Sequence, residues 1–372
     1  MSNNKENLRH CLNIVGAGLV ALDIIINNSD KNPIFSAGGT CGNVLAGLSF
    51  LGWKSTPISR AGMDFASQIL VQDLLDNGVN VDSITHEEKV STPRIVEKLH
   101  SNGVYAKHSF LLRCPTCNTY LPRFRSPKLK IIDDIISKKH LNPDVYLFDR
   151  VTPSTLKLAS IYRESGTLIF FEPINLKSTD NLKEAFRLSH IVKYADIEKK
   201  KRLKELANDQ ILKKIRSFGP TLVIKTLGKY GLSFLNGNKN KAQYRESFKI
   251  NRIYDCCGAG DWCTVGLLFY LHELARSSNI SLLEALESND LINSALSFGQ
   301  ILASLSCMFI GARGLSNSID AKKILKIVQT HMIKNNEIDV SISKYPPGNS
   351  KKVAIANEIN ANPKTCPTCL LN

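Results

Sequence analysis

The stretch Asp255-Cys-Cys-Gly258-Ala259-Gly260-Asp261 comes directly before residues 262–275, an apolar segment with helical spacing. Small residues at the start of a helix let backbone N–H groups crowd around an anion, and the helix dipole assists. A carboxylate at the same helix start can accept the proton of a bound hydroxyl. Such a combination suits transfer of a phosphoryl group to an alcohol. The alternative is an ordinary glycine turn with Asp261 as a helix N-cap.

Short apolar runs alternate with helical stretches along most of the chain. Strands are predicted at 12–15, 144–148, 167–171, 191–194 and 221–225, and helices at 42–51, 68–77, 155–165 and 199–218. This alternation predicts an α/β fold with a mainly parallel central sheet covered by helices on both faces.

Two segments depart from this rhythm and define the predicted domain organisation. Residues 90–127 are richer in Pro, Arg and Cys, which predicts an inserted lid. Residues 344–372 begin near a Tyr-Pro-Pro-Gly sequence and continue into Asn- and Lys-rich sequence. They are predicted to be a C-terminal extension beyond a main domain of residues 1–343.

Composition excludes several classes of protein. With 372 residues and 43% hydrophobic residues, the chain is an ordinary globular protein rather than a disordered one. The polar residues 1–10 lack the apolar core of a secretory signal. The uncharged run 294–312 contains four Ser, a Gln and two Gly, and reads as a buried helix rather than a membrane span. Ten Cys without an export signal indicate reduced thiols or metal ligands, and the predicted location is cytoplasmic.

The net charge of +15 attracts phosphates of any kind, from nucleotides to nucleic acids. The basic run at 199–204 is typical of a solvated helix face. The sequence contains no aromatic-basic motif of a named nucleic-acid fold, so a nucleic-acid partner ranks last among the hypotheses.

A dinucleotide fingerprint is present but incomplete. Gly16-Ala-Gly18-Leu-Val-Ala21 fits G-x-G-x-x-A after the first predicted strand. The nicotinamide or flavin interpretation also needs an acidic residue about 20 positions further on, and residues 36–39 contain none. Residues 23–26 also look extended rather than helical. We therefore reject this interpretation.

The opening motif resembles the D-[TC]-x-GAGD signature of the ribokinase, or PfkB-type, carbohydrate kinase family. Four more segments resemble motifs of that family in the same order, and together the resemblance covers about residues 12–320. They are Ala37-Gly38-Gly39-Thr-Cys-Gly42-Asn43-Val-Leu-Ala46 with Leu51-Gly52, Arg60-Ala-Gly62-Met-Asp64, Lys193-Tyr-Ala195-Asp-Ile-Glu198, and Thr226-Leu-Gly228 with Gly231.

The resemblance implies a ribokinase-like fold with a small β lid, and an ATP- and Mg²⁺-dependent kinase for a hydroxyl of a sugar, sugar derivative or nucleoside. Lids in this family often pair, so a homodimer through the lid is one expectation. The implied residue roles are general base for Asp261; anion hole for the N–H groups of Cys257, Gly258, Ala259 and Gly260; acceptor binding for Asp23, Gly38, Gly39 and Asn43; nucleotide binding for Thr226, Gly228 and Gly231; and water-mediated Mg²⁺ positioning for Glu198.

Some positions depart from the family pattern. Ala195 replaces an Asn, Trp262 follows the base where a small residue is usual, and Glu172 stands where Asp is frequent. Cys256 and Cys257 stand where Thr is common. Ala195 and Trp262 motivate the alternative of a nucleotide- or sugar-binding regulatory protein with weak or lost kinase activity, whereas retention of both Asp261 and Glu198 favours a kinase.

Several arginines raise the question of an anionic acceptor. Arg150 ends a predicted strand, where ligands of open parallel sheets bind. It is predicted either to touch a phosphate or carboxylate of the acceptor or to pair with Asp149. The predicted lid contains three more arginines that could contact an anionic acceptor: Arg113, Arg123 and Arg125.

The tetrapeptide Cys-Pro-Thr-Cys occurs twice, at Cys114–Cys117 and at Cys366–Cys369. C-P-x-C has the shape of a zinc knuckle, and four thiolates would complete a closed structural zinc site. We predict one such zinc per chain, with ligands from one chain or from two. Two unrelated pairs of free thiols and a redox couple are the alternatives.

Overall fold

The computed structural model describes residues 11–27, 33–100, 107–139, 141–196, 209–237, 239, 241–334 and 366–371. Its strands form an eight-stranded sheet, a four-stranded sheet and a two-stranded pair. The strands are β1 Asn13–Ala17, β2 Ala21–Asn27, β3 Ile34–Gly38, β4 Lys54–Pro57, β5 Ser59–Gly62, β6 Ile84–Glu87, β7 Arg94–His100, β8 Lys107–Leu111, β9 Val145–Phe148, β10 Leu168–Phe171, β11 Ile191–Ala195, β12 Leu222–Thr226, β13 Leu232–Asn236 and β14 Gln243–Arg245.

Helices lie between most of these strands and after the last. They are α1 Thr40–Phe50, α2 Phe65–Asp76, α3 Leu129–Lys139, α4 Pro153–Glu164, α5 Asp180–Leu188, α6 Gln210–Arg216, α7 Ala259–Ser277, α8 Leu282–Glu287, α9 Asn289–Ser306, α10 Gly314–Ser318 and α11 Ala321–Lys334. A 3₁₀ turn covers Gly228–Tyr230.

The large sheet has the order β14-β13-β12-β11-β10-β9-β1-β4. All pairings from β4 to β12 are parallel, and β13 and β14 add two antiparallel strands at one edge. The carboxyl ends of the parallel strands therefore meet along one edge of the sheet. The mainly parallel α/β sheet predicted from the alternating apolar runs is confirmed.

Alternate residues of the central strands pack into two separate hydrophobic cores, one on each face of the sheet. In β9, Leu147 packs with the core that includes α1, α7 and α9, whereas Tyr146 and Phe148 pack with α3 to α6. Strands buried on both faces have almost no polar positions, which is why they appear in the sequence as short continuous apolar runs.

The second sheet has the order β3-β2-β7-β8. Residues 90–127 supply β7 and β8, and residues 21–38 supply β2 and β3. Because β2 pairs in parallel with β7, segments far apart in the sequence form one lid. The lid therefore extends beyond the predicted insertion at 90–127.

The chain after β1 continues into the strand β2 rather than into a helix. Gly18 lies against the Asp149 side chain, which the Leu19 N–H holds at 2.8 Å. A dinucleotide fold would need a helix here. The rejection of the G-x-G-x-x-A fingerprint agrees with this geometry.

The uncharged run near residue 300 is the buried helix α9, with Leu296, Ile301 and Leu302 in the core. Within the described ranges, none of the helices combines the length and apolar character needed to cross a membrane. Glu198 and the basic run 199–204 lie outside the described residues, as does the first part of the helix predicted at 199–218.

Candidate active site

A cavity of about 890 Å³ lies between the lid and the carboxyl edge of the large sheet. The lid contributes polar and apolar residues, the sheet edge contributes Arg150 and Ala195, and the start of α7 closes one end. Residues that bear on its chemistry are Asp23, Gly39, Asn43, Arg94, Phe110, Leu112, Arg123, Phe124, Arg150, Ile174, Cys257, Gly258, Gly260 and Asp261.

The start of α7 requires glycine. Gly258 caps the helix with φ of 76°, in the left-handed region that glycine adopts at little cost. A Cβ atom at this position would lie 2.5 Å from the Cβ of Ala312. The glycine of the motif therefore permits both the turn and the close approach of the Ala312 loop.

Asp261 lies in the first turn of α7 and faces the cavity. Asn43 Nδ2 on α1 donates a hydrogen bond of 2.7 Å to Asp261 Oδ2. Burial, together with the negative charge of Glu172, raises the pKa of Asp261 to about 8. A carboxyl with such a pKa is poised to exchange a proton near neutral pH.

A mostly buried ion pair between Lys193 and Glu172 contacts the start of α7. Lys193 Nζ on β11 donates to Glu172 at the end of β10 and to the Gly260 carbonyl oxygen at 3.0 Å. Thr264 donates its hydroxyl to the other oxygen of Glu172 at 3.2 Å. The sequence prediction missed Lys193 as a site residue; its signal is a lysine in an otherwise apolar run, Ile191–Ala195.

The predicted anion hole is partly occupied by protein contacts. Gly258 and Gly260 line the cavity at a helix start, where N–H groups lack partners within the helix. The Ala259 N–H bonds the Cys256 carbonyl at 3.3 Å. The Cys257 N–H donates to Asp255 at 2.9 Å, which leaves the glycine amides as the better candidate donors.

Asp255 connects this loop to the lid. It accepts the Gly311 N–H at 2.8 Å and lies 3.3 Å from Nδ1 of His108 on β8. Glu97 on β7 lies 3.6 Å from the same nitrogen. His108 was not predicted, because nothing in its local sequence reveals a contact with a residue so distant in the chain.

Of the predicted acceptor residues, Asp23, Gly39 and Asn43 line the cavity, whereas Gly38 on β3 lies against Asp23 and is not among the cavity residues. A Cβ at Gly38 would overlap the Asp23 carboxylate, so glycine there admits the acid. Burial raises the pKa of Asp23 to about 7, while the Gly39 backbone amide donates to it. Asp23 Oδ1 and Asn43 Oδ1 are buried without a hydrogen-bond partner among the described residues. Unpaired buried oxygens of this kind suit the hydroxyl groups of a ligand.

Arg150 pairs with Asp149 and also lines the cavity, and its contact with an anionic acceptor stays a prediction. Its Nη1 donates to the Asp149 carbonyl oxygen at 3.0 Å, and the side chain also lines the cavity. Of the three lid arginines, Arg123 lines the cavity, whereas Arg113 lies 3.5 Å above the Tyr120 ring centroid. Arg125 is exposed and is not among the cavity residues.

The predicted nucleotide residues lie beside the cavity rather than in its wall. Thr226 ends β12 and pairs with the cavity residue Ala195. Gly228 and Gly231 follow in a loop, with φ of 57° and 95°. Glu198 lies outside the described residues, so its predicted contact with Mg²⁺ stays a prediction.

Trp262 points into the core and away from the cavity. Its indole Nε1 donates to the Ala312 carbonyl oxygen at 2.8 Å, and its ring packs edge-on against Phe50. The large residue after the predicted base therefore narrows no part of the cavity and gives no support to a loss of activity.

This arrangement defines a class. A mainly parallel α/β sheet with a β lid, and a glycine turn with a half-buried carboxylate at a helix start, are typical of the ribokinase-like class of small-molecule kinases. The chain belongs to the pfkB family of carbohydrate kinases, whose profile matches residues 18–318. The resemblance inferred from five sequence motifs is confirmed.

Solved structures of the same fold agree with this assignment. Ribokinase from Giardia lamblia superposes with a TM-score of 0.67 at 15% identity, covering 86% of this chain and 99% of that chain. Ribokinase from Arabidopsis thaliana, complexed with ribose and ATP, has a TM-score of 0.60 at 18% identity, with coverage of 86% and 99%. Aminoimidazole riboside kinase from Salmonella enterica, complexed with aminoimidazole riboside and an ATP analogue, has a TM-score of 0.58 at 19% identity, with coverage of 85% and 99%. No curated protein sequence shows significant similarity to the chain.

Proposed function

We propose that the protein is an ATP-dependent phosphotransferase that phosphorylates a hydroxyl group of a sugar-containing small molecule. The observation that carries this proposal is the position of Asp261. Its half-buried carboxyl lies in the cavity, at the start of α7, beside Gly258 and Gly260. Base and anion donors are thus within one turn of helix, as in-line transfer from a nucleotide to an alcohol requires.

In this proposal each group has one task. Asp261 accepts the proton of the acceptor hydroxyl. The hydroxyl oxygen bonds to the γ-phosphorus as the bond between that phosphorus and the ADP oxygen breaks. The glycine amides at the helix start stabilise the charge on the transferring group. Asp23 and Asn43 hold other acceptor hydroxyls through their unpaired oxygens.

Kinases of this class use ATP with Mg²⁺, which neutralises phosphate charge when bound with the nucleotide. We propose that Thr226, Gly228 and Gly231 border the nucleotide, because their loop adjoins the cavity at Ala195. The lid-mediated dimer stays a prediction.

The lid side of the cavity favours an acceptor that carries an apolar group as well as hydroxyls. Phe110 and Leu112 are 56% and 66% exposed, although both line the cavity. Phe124 and Ile174 continue this apolar surface. A planar base attached to a ribose would cover it, and the Salmonella relative is complexed with such a riboside. A nucleoside or related glycoside is therefore the proposed acceptor class.

An ATP-consumption screen tests this proposal. We expect turnover with one or more nucleosides or other glycosides, and weaker turnover with the corresponding free sugars. Free sugars and sugar phosphates form separate arms, the latter testing Arg123 and Arg150 as anion contacts. Each arm uses the Asp261→Asn protein as blank. Tight nucleotide binding without turnover on any acceptor would favour a regulatory protein instead.

The rate is expected to rise with pH through the titration of Asp261. The carboxylate form is the base, and burial raises its pKa to about 8. Below that pH, kcat/KM for the acceptor should therefore fall about tenfold per pH unit. Measurement of kcat/KM between pH 6 and pH 9 checks this. A profile that is flat below pH 8 would contradict the assigned base.

A further inference from the structure

The four cysteines of the repeated tetrapeptide meet in space, although Cys114 and Cys366 are 252 positions apart. Their four Sγ atoms all lie within 4.8 Å of one another. Cys114 Sγ lies 3.8 Å from Cys366 Sγ, and Cys117 Sγ lies 3.5 Å from Cys369 Sγ. Each of the four is a free cysteine.

These distances match a metal tetrahedron. Zinc–sulfur bonds of about 2.3 Å in a regular tetrahedron place sulfur atoms about 3.8 Å apart. A disulfide needs sulfurs at about 2 Å, far closer than either measured pair. Four thiols facing one another also provide no good hydrogen-bond acceptor, whereas four thiolates around a divalent ion are fully satisfied.

The two tetrapeptides fold as the same turn. Asn118 N–H donates to the Cys114 carbonyl at 2.9 Å, and Leu370 N–H donates to the Cys366 carbonyl at 2.9 Å. Asn118 and Leu370 have φ of 57° and 56°, a strained region for a leucine. Thr116 N–H also points at Cys114 Sγ, at 3.4 Å. The two identical tetrapeptides thus have the same backbone conformation. This is expected if each supplies half of the ligands of one metal site.

The cluster joins the end of the chain to the lid. Cys369 and Leu370 are buried in a hydrophobic cluster with Leu22 and Val96 of the lid strands. The hydroxyls of Thr116 and Thr368 lie 2.8 Å apart across the two turns. The described tail residues 366–371 therefore complete the lid rather than extend away from it.

The cluster also lies directly behind one wall of the cavity. The Cys114 turn is flanked by Leu112 and Leu121, which line the cavity and bond to each other through the Leu121 N–H at 3.1 Å. Arg94, another cavity residue, donates to the Leu370 carbonyl oxygen of the tail at 3.2 Å. Displacement of the tail would thus release the contact between Arg94 and Leu370.

We propose that Cys114, Cys117, Cys366 and Cys369 bind one structural Zn²⁺ that clamps the C-terminal residues onto the lid and fixes the cavity wall at residues 110–124. A full set of four thiolates leaves no open position, so this ion takes no part in chemistry. The identification of this wall as part of an acceptor pocket rests on the proposed function, whereas the zinc site does not depend on it.

Metal content tests the site without any assay of turnover. We expect one zinc per chain in wild-type protein purified without chelators, measured by inductively coupled plasma mass spectrometry. The Cys366→Ser/Cys369→Ser variant should lose it, and Cys11→Ser, which changes an exposed thiol outside the cluster, should keep it. Replacement by Co²⁺ should give the visible bands of tetrahedral thiolate coordination. Iron in place of zinc, or metal-free protein, would overturn the assignment.

Hydrogen–deuterium exchange tests the clamp. Loss of zinc in the double variant should speed exchange at residues 110–124 and leave β9 to β12 unchanged. The double variant keeps both lid cysteines and the whole kinase core, so a folded protein is expected. Unchanged exchange at 110–124 in zinc-free protein would refute the clamp. Neither measurement depends on turnover, so failure of the kinase proposal would be recognised separately.

Discussion

Replacing Asp261 by Asn is expected to lower kcat by about 10²- to 10⁴-fold, the usual contribution of a positioned general base. The amide keeps the size of the side chain and can still meet Asn43, but it cannot accept the hydroxyl proton. Because the interaction is made only in the transition state, kcat and kcat/KM should fall together. Nucleotide affinity should persist, since the glycine amides remain.

The measurement is steady-state phosphorylation of the acceptor identified in the screen, with nucleotide binding followed by calorimetry. Asp290→Asn is the matched control. Asp290 also lies in the first turn of a long helix, α9, but it is exposed and is not among the cavity residues. The control removes the same charge from a helix start and should leave turnover unchanged. Near-normal turnover in Asp261→Asn would refute its role as base.

The sequence predicted those parts of the site that are contiguous in the chain. The glycine turn and Asp261 lie in seven consecutive residues, and the turn needs Gly258 for reasons of local backbone geometry. The short apolar runs predict the strands, and therefore also that Arg150 and Ala195 lie at strand ends. Periodicity is visible in a single sequence and here predicted the α/β sheet, whereas the family followed from the resemblance of five motifs to those of known kinases.

Contacts between distant segments were not predictable in the same way. The lid joins residues 21–38 to residues 94–111 through a parallel pairing of β2 with β7, which no local pattern encodes. The His108 contact with Asp255 depends on that pairing. The contact between the two cysteine pairs is the exception, because the repeated tetrapeptide is visible in the sequence and indicates one shared site.

Replacing Lys193 by Met is expected to destabilise the protein by about 3 kcal/mol, because it leaves Glu172 without its cation in a mostly buried site. The Lys193 side chain is 1% exposed and that of Glu172 is 16% exposed. Lys183→Met is the matched control, since Lys183 pairs with Asp180 on the surface and its removal should change the free energy of unfolding little. Chemical denaturation of both variants measures the difference.

The same substitution should also move the pH profile. The positive charge of Lys193 lowers the pKa of Asp261, and Glu172 raises it. Lys193→Met should therefore shift the rise of kcat/KM to higher pH, and Lys193→Met/Glu172→Gln should bring it back. The double variant should also recover stability, because no uncompensated charge remains buried. Equal stability of Lys193→Met and Lys183→Met, with an unmoved profile, would show that the pair supports neither the helix start nor the base.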